Sequence, residues 1–280
     1  MRFQRYDDIT AFKHDTFETL LKNEVQNNLL IGLISNRKKS GAGNWLLATI
    51  TDSGGICLTA IYIEPFDLLL YETGNARHDG SLELLSAELR RIGCTPSGIM
   101  AESGLAARFA DTFFGAGMSR SHMTIAAMKL DALSEYTKAP GAPRMLEPRD
   151  MFYAPYWERA FSEDCRTKVF SIPENTRRIG TRLGKGAHLI WEDGMPVSQA
   201  VHGRDTPNGA VINGVYTPPH FRGRGYATST VAELTSLLLG RGSSFCCLFA
   251  DAGNPASRKL YHKLGYCDVS ELSVLKLKAN

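Results

Sequence analysis

The sequence has no large excess of one charge, no long apolar run and few cysteines. Its 280 residues carry 32 Lys and Arg against 29 Asp and Glu, which gives a net charge of +3. So small an excess provides no bulk attraction to nucleic acid or to an anionic membrane as the main partner. No apolar run reaches the length that crosses a bilayer, so we expect neither partner.

The N-terminal stretch MRFQRYDDITAFKHD contains no apolar signal core, which predicts a protein that is not exported and acts in the cytoplasm. The cysteines show no metal-site spacing, and no metal site is expected. Two of them form an adjacent pair in an apolar, strand-like run, where burial raises a thiol pKa and favours core residues over a nucleophile. The six are Cys57, Cys94, Cys165, Cys246, Cys247 and Cys267.

What the chain does have is the composition of a globular protein, with 43% hydrophobic and 22% charged residues. Its length allows two domains of ordinary size, each able to bury a core. The stretch SEYTKAPGAPR at 134–144 contains two prolines and a glycine and has little periodicity. It predicts a domain at 1–135, a linker at 136–143 and a second domain at 144–280.

The two halves repeat one order of elements. In the first half, apolar spacing predicts a helix over 11–35, a hairpin around DSGG, a strand DLLLYET, helices at SLELLSAELRRIG and around 100–114, and a closing strand HMTIAAMKL. The second half has a helix around 150–163 and then a polar, basic loop through PENTRRIGTRLGKG. A hairpin around Asp193-Gly194, the strands AVINGVYT and SFCCLFA with a helix between them, a helix at 254–264 and a closing strand DVSELSVLKLK follow. This order indicates a tandem duplication.

A basic, glycine-rich turn joins a strand that stops at Pro218-Pro219 to a helix that starts at Tyr226. The turn is Arg222-Gly223-Arg224-Gly225. Amides in the first turn of a helix lack partners, and the helix dipole adds positive charge there. Glycine lets an anion approach the backbone closely. The turn therefore predicts a cradle for a phosphate or pyrophosphate; the alternative is an exposed connection with solvated arginines.

Two other phosphate motifs do not fit the sequence. A dinucleotide fingerprint needs a third glycine and parallel strands, but Ala227 and Thr228 follow the turn and the preceding strands look antiparallel. GTRLGKG at 180–186 has the wrong gap for a Walker loop and no hydroxyl after Lys185.

Arg222-Gly223-Arg224-Gly225-Tyr226-Ala227 matches the R/Q-x-x-G-x-G/A signature of the GNAT acetyltransferase superfamily. Asn254 opens NPASRKLYHKLGY, with Tyr261 seven residues on and Leu264-Gly265-Tyr266 closing it. Over roughly 144–280 the sequence resembles that family. The whole chain resembles its two-part members, whose N-terminal half is a degenerate copy. The resemblance implies an α/β (α+β) chain of tandem GNAT-like folds, each a mixed, mostly antiparallel sheet flanked by helices.

The resemblance also implies that acetyl-CoA is the acyl donor. Backbone amides of 223–228 would hold its pyrophosphate, and the strand end at 215–217 would pair with the pantetheine arm and the acetyl carbonyl. A bulge at Asn213-Gly214 would splay this strand from its neighbour. The implied binding residues are Val215, Tyr216, Thr217, Arg222, Gly223, Arg224, Gly225, Tyr226, Ala227, Thr228, Asn254 and Tyr261.

Two of these residues have ordinary structural roles as alternatives. Asn254 would contact pantetheine and also cap its helix. Tyr261 would be the catalytic general acid that protonates the leaving thiolate, with a core aromatic as the alternative.

The general base is unassigned. Many family members carry a glutamate where this chain has Phe249. We expect Asp251 to point elsewhere or to stabilise its turn. Glu158, Glu163 and Asp164 are expected on a solvent-exposed charged face, with a position that faces the acceptor as the alternative. An ammonium acceptor could lose its proton through ordered water.

The predicted function is direct transfer of an acetyl group to an amine by an N-acetyltransferase, through a tetrahedral intermediate. One alternative is an acyl-CoA sensor or pseudoenzyme, and another is an interaction module that uses the N-terminal half. That half has NARHD where the second has RGRGYA, so we expect it not to bind acetyl-CoA. The sequence does not indicate the oligomeric state or whether the acceptor is a small amine, a peptide N-terminus or a lysine.

Overall fold

The computed structural model describes residues 1–36, 45–74 and 79–278. The chain divides into two compact units. Unit 1 consists of Met1–Ala127 with Asp268–Asn280, and unit 2 is Met128–Cys267. None of the helices within the described residues is long and apolar enough to cross a membrane.

Unit 1 contains a sheet with the strand order β1-β2-β3-β4-β5-β12-β6. Strands β1 to β4 pair antiparallel in sequence order, β4 and β5 are parallel, and β5 pairs antiparallel with β12. The elements are β1 (Arg2–Tyr6), α1 (Ile9–Leu21), α2 (Asn28–Asn36), β2 (Trp45–Asp52), β3 (Gly55–Ile63), β4 (Leu68–Glu72), α3 (Asp79–Arg91), β5 (Gly98–Glu102), α4 (Ser103–Phe114), β6 (Ser119–Leu130) and, from the end of the chain, β12 (Cys267–Leu277).

Helices cover both faces of this sheet because its strands are apolar on both sides. Leu46 packs with residues of α3 and α4, including Leu85 and Phe109. The next residue, Leu47, packs with residues of α1 and α2, including Phe12. Successive side chains of a strand point to opposite faces, so adjacent leucines fill two separate cores.

Unit 2 contains strands in the order β11-β10-β9-β8-β7. Strands β7 to β10 pair antiparallel, and β10 pairs parallel with β11. The elements are β7 (Ala142–Met145), a 3₁₀ turn (Pro148–Phe152), α5 (Ala154–Asp164), α6 (Ile172–Gly180), β8 (His188–Glu192), β9 (Pro196–Asp205), β10 (Gly209–Tyr216), a 3₁₀ turn (Pro219–Phe221), α7 (Tyr226–Gly240), β11 (Phe245–Asp251) and α8 (Pro255–Leu264). The predicted fold class is confirmed in both units.

Four local predictions differ from the structure. The helix predicted over 11–35 is two helices, α1 and α2, and the one around 100–114 begins only after strand β5. The basic loop after 172 starts with helix α6, whose N-terminus is closed by a capping box between Ser171 and Glu174. Residues 142–143 of the predicted linker belong to β7 and pair with Trp191 and Glu192.

The compact units depart from the predicted domain boundaries at the closing strand. Residues Leu272–Lys276 of β12 pair with Gly98–Glu102 of β5, so from Asp268 the chain belongs to unit 1. Residues 128–135, predicted in the first domain, belong to unit 2. The predicted linker also packs into unit 2, where the amide of Ala139 donates to Ser229 Oγ at 2.8 Å.

Candidate active site

Strands β10 and β11 separate after a short parallel ladder. Only Gly209–Val211 and Phe245–Cys247 pair among the described residues, although β10 runs to Tyr216 and β11 to Asp251. The antiparallel register moves from Asn213–Val201 to Tyr216–Gln199, so β10 carries one extra residue. Gly214 supplies the bend with a φ of +58°. The predicted bulge is confirmed, and a wedge opens between the two strands.

The turn before α7 presents consecutive backbone donors. Gly223 and Gly225 have φ angles of +78° and +82°, and Gly225 is the N-cap of α7. No described residue accepts a hydrogen bond from the amides of 223–228, whereas Ser229 N bonds back to Gly225 O at 3.0 Å. These unpaired donors at a helix N-terminus fit a diphosphate.

Arg222 connects the turn before α7 to the end of β10 and to α5. Its Nε donates to Thr217 O at 3.0 Å and its Nη2 to Asp164 Oδ2 at 2.6 Å. The guanidinium lies 5.9 Å from the ring centre of Tyr216. Arg224 is exposed at the same turn. The two arginines therefore differ: Arg222 holds the loop to the end of β10, and Arg224 faces solvent.

Hydrogen bonds within the protein already occupy several polar groups of the strand end at 215–217. Ser198 Oγ bonds the Tyr216 carbonyl at 3.3 Å and lies 2.9 Å from the Thr217 hydroxyl. Gln199 Nε2 donates to Gly214 O at 3.3 Å. Since Arg222 takes the Thr217 carbonyl, the predicted pairing with a pantetheine arm depends mainly on the backbone of Val215, which is half-buried.

The first turn of α7 is anchored by Tyr226. Its ring packs in a cluster with Ala139, Trp191 and Val197, and its hydroxyl donates to Asp193 Oδ2 at 2.5 Å. Ala227 and Thr228 follow it and are half-buried. The tyrosine thus fixes the helix start that carries the amides, while its own side chain is a core group.

Helix α8 follows β11 and carries both of its predicted residues, Asn254 as its N-cap and Tyr261 in its last turn. Asn254 Oδ1 accepts from Ser257 N at 3.1 Å, so the predicted cap is confirmed. Tyr261 is 7% exposed and lies edge-on to Tyr266, with ring centres 5.7 Å apart. Burial raises the pKa of Tyr261 to about 12, although a hydrogen bond with Ser257 opposes the shift. The phenol is therefore protonated at neutral pH and could donate a proton.

Residues at the C-terminal end of α5 contact elements around the wedge, which the sequence did not predict. Asp164 pairs with Arg222 of the cradle, and Arg166 Nη2 lies 3.1 Å from Asp251 Oδ2 at the end of β11. Cys165, between them, interacts electrostatically with Tyr261. Burial raises the pKa of the Cys165 thiol to about 11, with Asp164 and Asp251 adding to the shift.

The carboxylates near the wedge are engaged with protein groups. Asp251 Oδ1 accepts from Gly253 N at 2.8 Å, which agrees with the predicted turn-stabilising role. Glu163 is exposed and pairs with Arg159 at 2.8 Å. Glu158 is buried, and the prediction of an exposed position was wrong because both its oxygens bind Arg182, at 2.9 and 3.3 Å. Burial opposes ionisation of Glu158, but Arg182 outweighs it and lowers the pKa.

Two further site predictions concern thiols and metals. Cys246 and Cys247 are buried in β11, as predicted, and burial raises the pKa of Cys246 to about 12. Across the described ranges, no group of three or more His, Cys, Asp or Glu side chains could hold a metal ion. The NARHD segment of the first half falls largely outside the described residues, which omit 75–78.

Comparison with known proteins agrees with this geometry. The FR47-like protein family model matches residues 193–273, which include the cradle, both strands of the wedge and α8. No curated protein sequence matches the chain.

Solved structures match over nearly the whole chain. A GNAT-family acetyltransferase from Colwellia psychrerythraea is 10% identical, with 99% of this chain and 100% of that one covered and a TM-score of 0.65. A GCN5-related N-acetyltransferase from Sphaerobacter thermophilus is 14% identical, with 98% and 94% covered and a TM-score of 0.68. A tandem GNAT protein from the clavulanic acid biosynthesis pathway is 12% identical, with 100% and 98% covered and a TM-score of 0.57. The chain has the GNAT acetyltransferase fold in tandem form, as the sequence resemblance predicted.

Proposed function

We propose that this chain is an acetyl-CoA-dependent N-acetyltransferase whose active site is the wedge of unit 2. The observation that carries the proposal is the run of unpaired amides from Gly223 to Thr228 at the start of α7. In this proposal those amides and Arg224 hold the diphosphate of coenzyme A. The backbone at Val215 aligns the pantetheine arm and the acetyl carbonyl, and Asn254 lies beside the arm.

The reaction is a direct transfer. The amine attacks the thioester carbon, and the carbonyl oxygen gains negative charge that strand amides near 215–217 stabilise. The carbon–sulfur bond then breaks, and Tyr261 donates its phenolic proton to the departing thiolate. The amine releases a proton to solvent, and Tyr261 regains one. The buried phenol is protonated at neutral pH, so it holds the proton that the departing sulfur accepts.

The second candidate is an acyl-CoA sensor that binds without catalysis. It is favoured by the engagement of Asp251 with Arg166 and of Glu158 with Arg182, which leaves neither carboxylate available as a general base. An ammonium acceptor that loses its proton through ordered water would need no carboxylate base. Catalysis therefore remains our proposal.

Two measurements separate these functions. Calorimetry of the full chain with acetyl-CoA should show saturable binding under either function. Thiol release from acetyl-CoA is then followed with a panel of small amines, peptide N-termini and lysine peptides. An amine that increases thiol release and is itself acetylated supports transfer. Binding without turnover on any member would support the sensor, and absence of binding would refute both.

We also propose that unit 1 does not bind acetyl-CoA. Its comparable parallel step, between β4 and β5, lies beside a small space of about 10 Å³, which is lined by apolar residues such as Leu70 and by the polar Gln26 and Asn27. Calorimetry with the full chain should therefore give one binding site per molecule. Two sites would contradict this proposal.

A further inference from the structure

A cavity of about 380 Å³ lies in unit 2 away from the wedge. Its wall is formed by the loop 182–188, which includes the stretch that fails as a Walker motif, together with Leu146 and Arg241. Arg241 is the C-cap of α7, whereas the cradle lies at the N-terminus of that helix. The helix has 15 residues, so about 22 Å separates the cavity from the cradle. A diphosphate in the cradle would not reach it.

The cavity has more positive than negative charge at its wall. Arg182 is neutralised by Glu158, to which it is bidentate. Arg241 Nη1 donates to Gly186 O at 2.9 Å but pairs with no carboxylate in the described chain. Lys185 is exposed and forms no ion pair with any described residue. Two cations therefore border this space without a carboxylate partner among the described residues.

Backbone donors border the same space. Gly184 and Gly186 have φ angles of +70° and +60°. The amides of Gly184, Gly186 and Ala187 have no hydrogen-bond partner among the described residues. A Cβ at Gly186 would lie 2.7 Å from Arg241 Nη2, so a side chain there would meet the guanidinium. The amides of Gly186 and Ala187 are consecutive, and consecutive amides in such turns form concave anion sites.

We propose that this cavity binds the phosphate group of a small molecule, at a site separate from the coenzyme cradle. The two cations and the three amides at its wall offer several donors, which suits a tetrahedral oxyanion with four acceptor oxygens better than a planar carboxylate. The ligand is either free phosphate or a phosphate monoester, since both present this group. The site lies in loops that the GNAT-like wedge does not use, so it stands whether or not the proposed acetyl transfer is correct.

The test is calorimetric titration of the full chain with inorganic phosphate at constant ionic strength set by chloride. We expect saturable binding that weakens roughly tenfold in Lys185→Ala, because one charge-assisted hydrogen bond is lost. Arg241→Ala should weaken it similarly. Arg91→Ala removes an exposed cation from unit 1 and should leave the affinity unchanged. Binding that is equally strong in Lys185→Ala and Arg241→Ala would overturn the proposal.

Further titrations identify which phosphate compound binds and where on the protein it binds. If glycerol phosphate binds more tightly than inorganic phosphate, the ligand is a monoester; the reverse indicates free phosphate. Acetate at the same concentration should not bind, and acetate binding tighter than phosphate would overturn the proposal. Arg224→Ala removes a cation at the cradle and should retain phosphate affinity. If Arg224→Ala instead abolishes binding, the phosphate was in the cradle and the cavity is not the site.

Discussion

At the residue scale, Tyr261 combines burial with a position in α8, the helix that follows β11. A buried phenol is costly to ionise, so burial keeps it in the form that can donate a proton. Its edge contact with Tyr266 would equally suit an ordinary core residue. Only a variant that retains the ring and loses the hydroxyl separates these two roles.

Tyr261→Phe should lower kcat for acetyl transfer by about 10²- to 10⁴-fold, the usual contribution of a general acid. The dissociation constant of acetyl-CoA should change little, because the ring and its packing remain. Steady-state kinetics and calorimetry measure the two quantities. Tyr156→Phe, at an exposed position, is the matched control and should leave kcat unchanged. A normal kcat in Tyr261→Phe would identify the residue as a core aromatic.

His188 makes stability depend on pH. It is 1% exposed, with Nε2 at 3.1 Å from Gln199 Oε1 and Nδ1 without a partner in the described chain. Burial, and then the nearby Arg182, lower the pKa of His188 to about 4, against weaker opposite effects of Gln199, Glu158 and Asp150. Between about pH 6.5 and 4, the His188 ring is therefore neutral in the folded protein but protonated in the unfolded chain, where its pKa is the ordinary 6.5.

The stabilisation from neutral His188 is present above about pH 6.5 and is lost as the pH falls toward 4, at most about 3 kcal/mol. In His188→Gln, the free energy of unfolding should fall less steeply across this window. Urea unfolding at several pH values measures the slope. An unchanged slope in His188→Gln would contradict the assignment.

At the element scale, the cradle requires left-handed backbone immediately before α7. Gly223 has a φ of +78°, and no neighbouring atom lies within 4 Å of the position that a Cβ would occupy. Alanine at this position is therefore strained by its backbone conformation and not by contact. Gly242, after α7, has a φ of +101° and is equally open, which makes it a matched control.

Gly223→Ala should raise the dissociation constant of acetyl-CoA several-fold or more, because relief of about 1 kcal/mol of strain redirects the amides that bind the diphosphate. Gly242→Ala should lose comparable stability and keep its coenzyme affinity. Calorimetry gives the affinities, and thermal unfolding gives the stabilities. Equal loss of affinity in both variants would show that general destabilisation, not the cradle, is responsible.

The elements that the sequence predicted well are those with local signals. The turn at 222–225, the bulge at 213–214 and the cap at Asn254 each depend on residues adjacent in the chain. Helix α6 was missed because its polar and basic composition masks the capping box at Ser171 and Glu174. Strand β5 is only five residues long and leads directly into α4. The apolar spacing of α4 therefore extended the predicted helix back over part of β5.

Contacts between distant residues gave no sequence signal. Asp164 binds Arg222, 58 positions away, and Glu158 binds Arg182, which lies in the turn after α6. Both carboxylates lie in a helix rich in charge, where a solvent-exposed face is the ordinary expectation. Which of these charges becomes buried depends on how α5 packs against α6 and β10, and that packing is decided by tertiary structure.

At the scale of the whole molecule, the two units share one strand arrangement, but the last strand of the chain belongs to the first unit. Each has an antiparallel run followed by one parallel step, β4–β5 in unit 1 and β10–β11 in unit 2. The closing strand β12 belongs to unit 1 from Asp268 onward. Its sequence DVSELSVLKLK predicts a strand but carries no information on its partner, because pairing depends on register and burial in the assembled sheet.

The pairing of β12 with β5 predicts which strand loses hydrogen-exchange protection when a buried residue of β12 is truncated. Leu272 is 3% exposed and pairs with Glu102, whereas Val269 on the same strand is 51% exposed. Leu272→Ala should cost about 2–5 kcal/mol as a buried leucine truncation, and Val269→Ala should cost much less. Hydrogen exchange should show lost protection in β5 of unit 1 for Leu272→Ala, while β11 of unit 2 keeps its protection. Early loss of protection in β11, with β5 still protected, would contradict the assignment of the closing strand to unit 1 and would indicate that it completes unit 2.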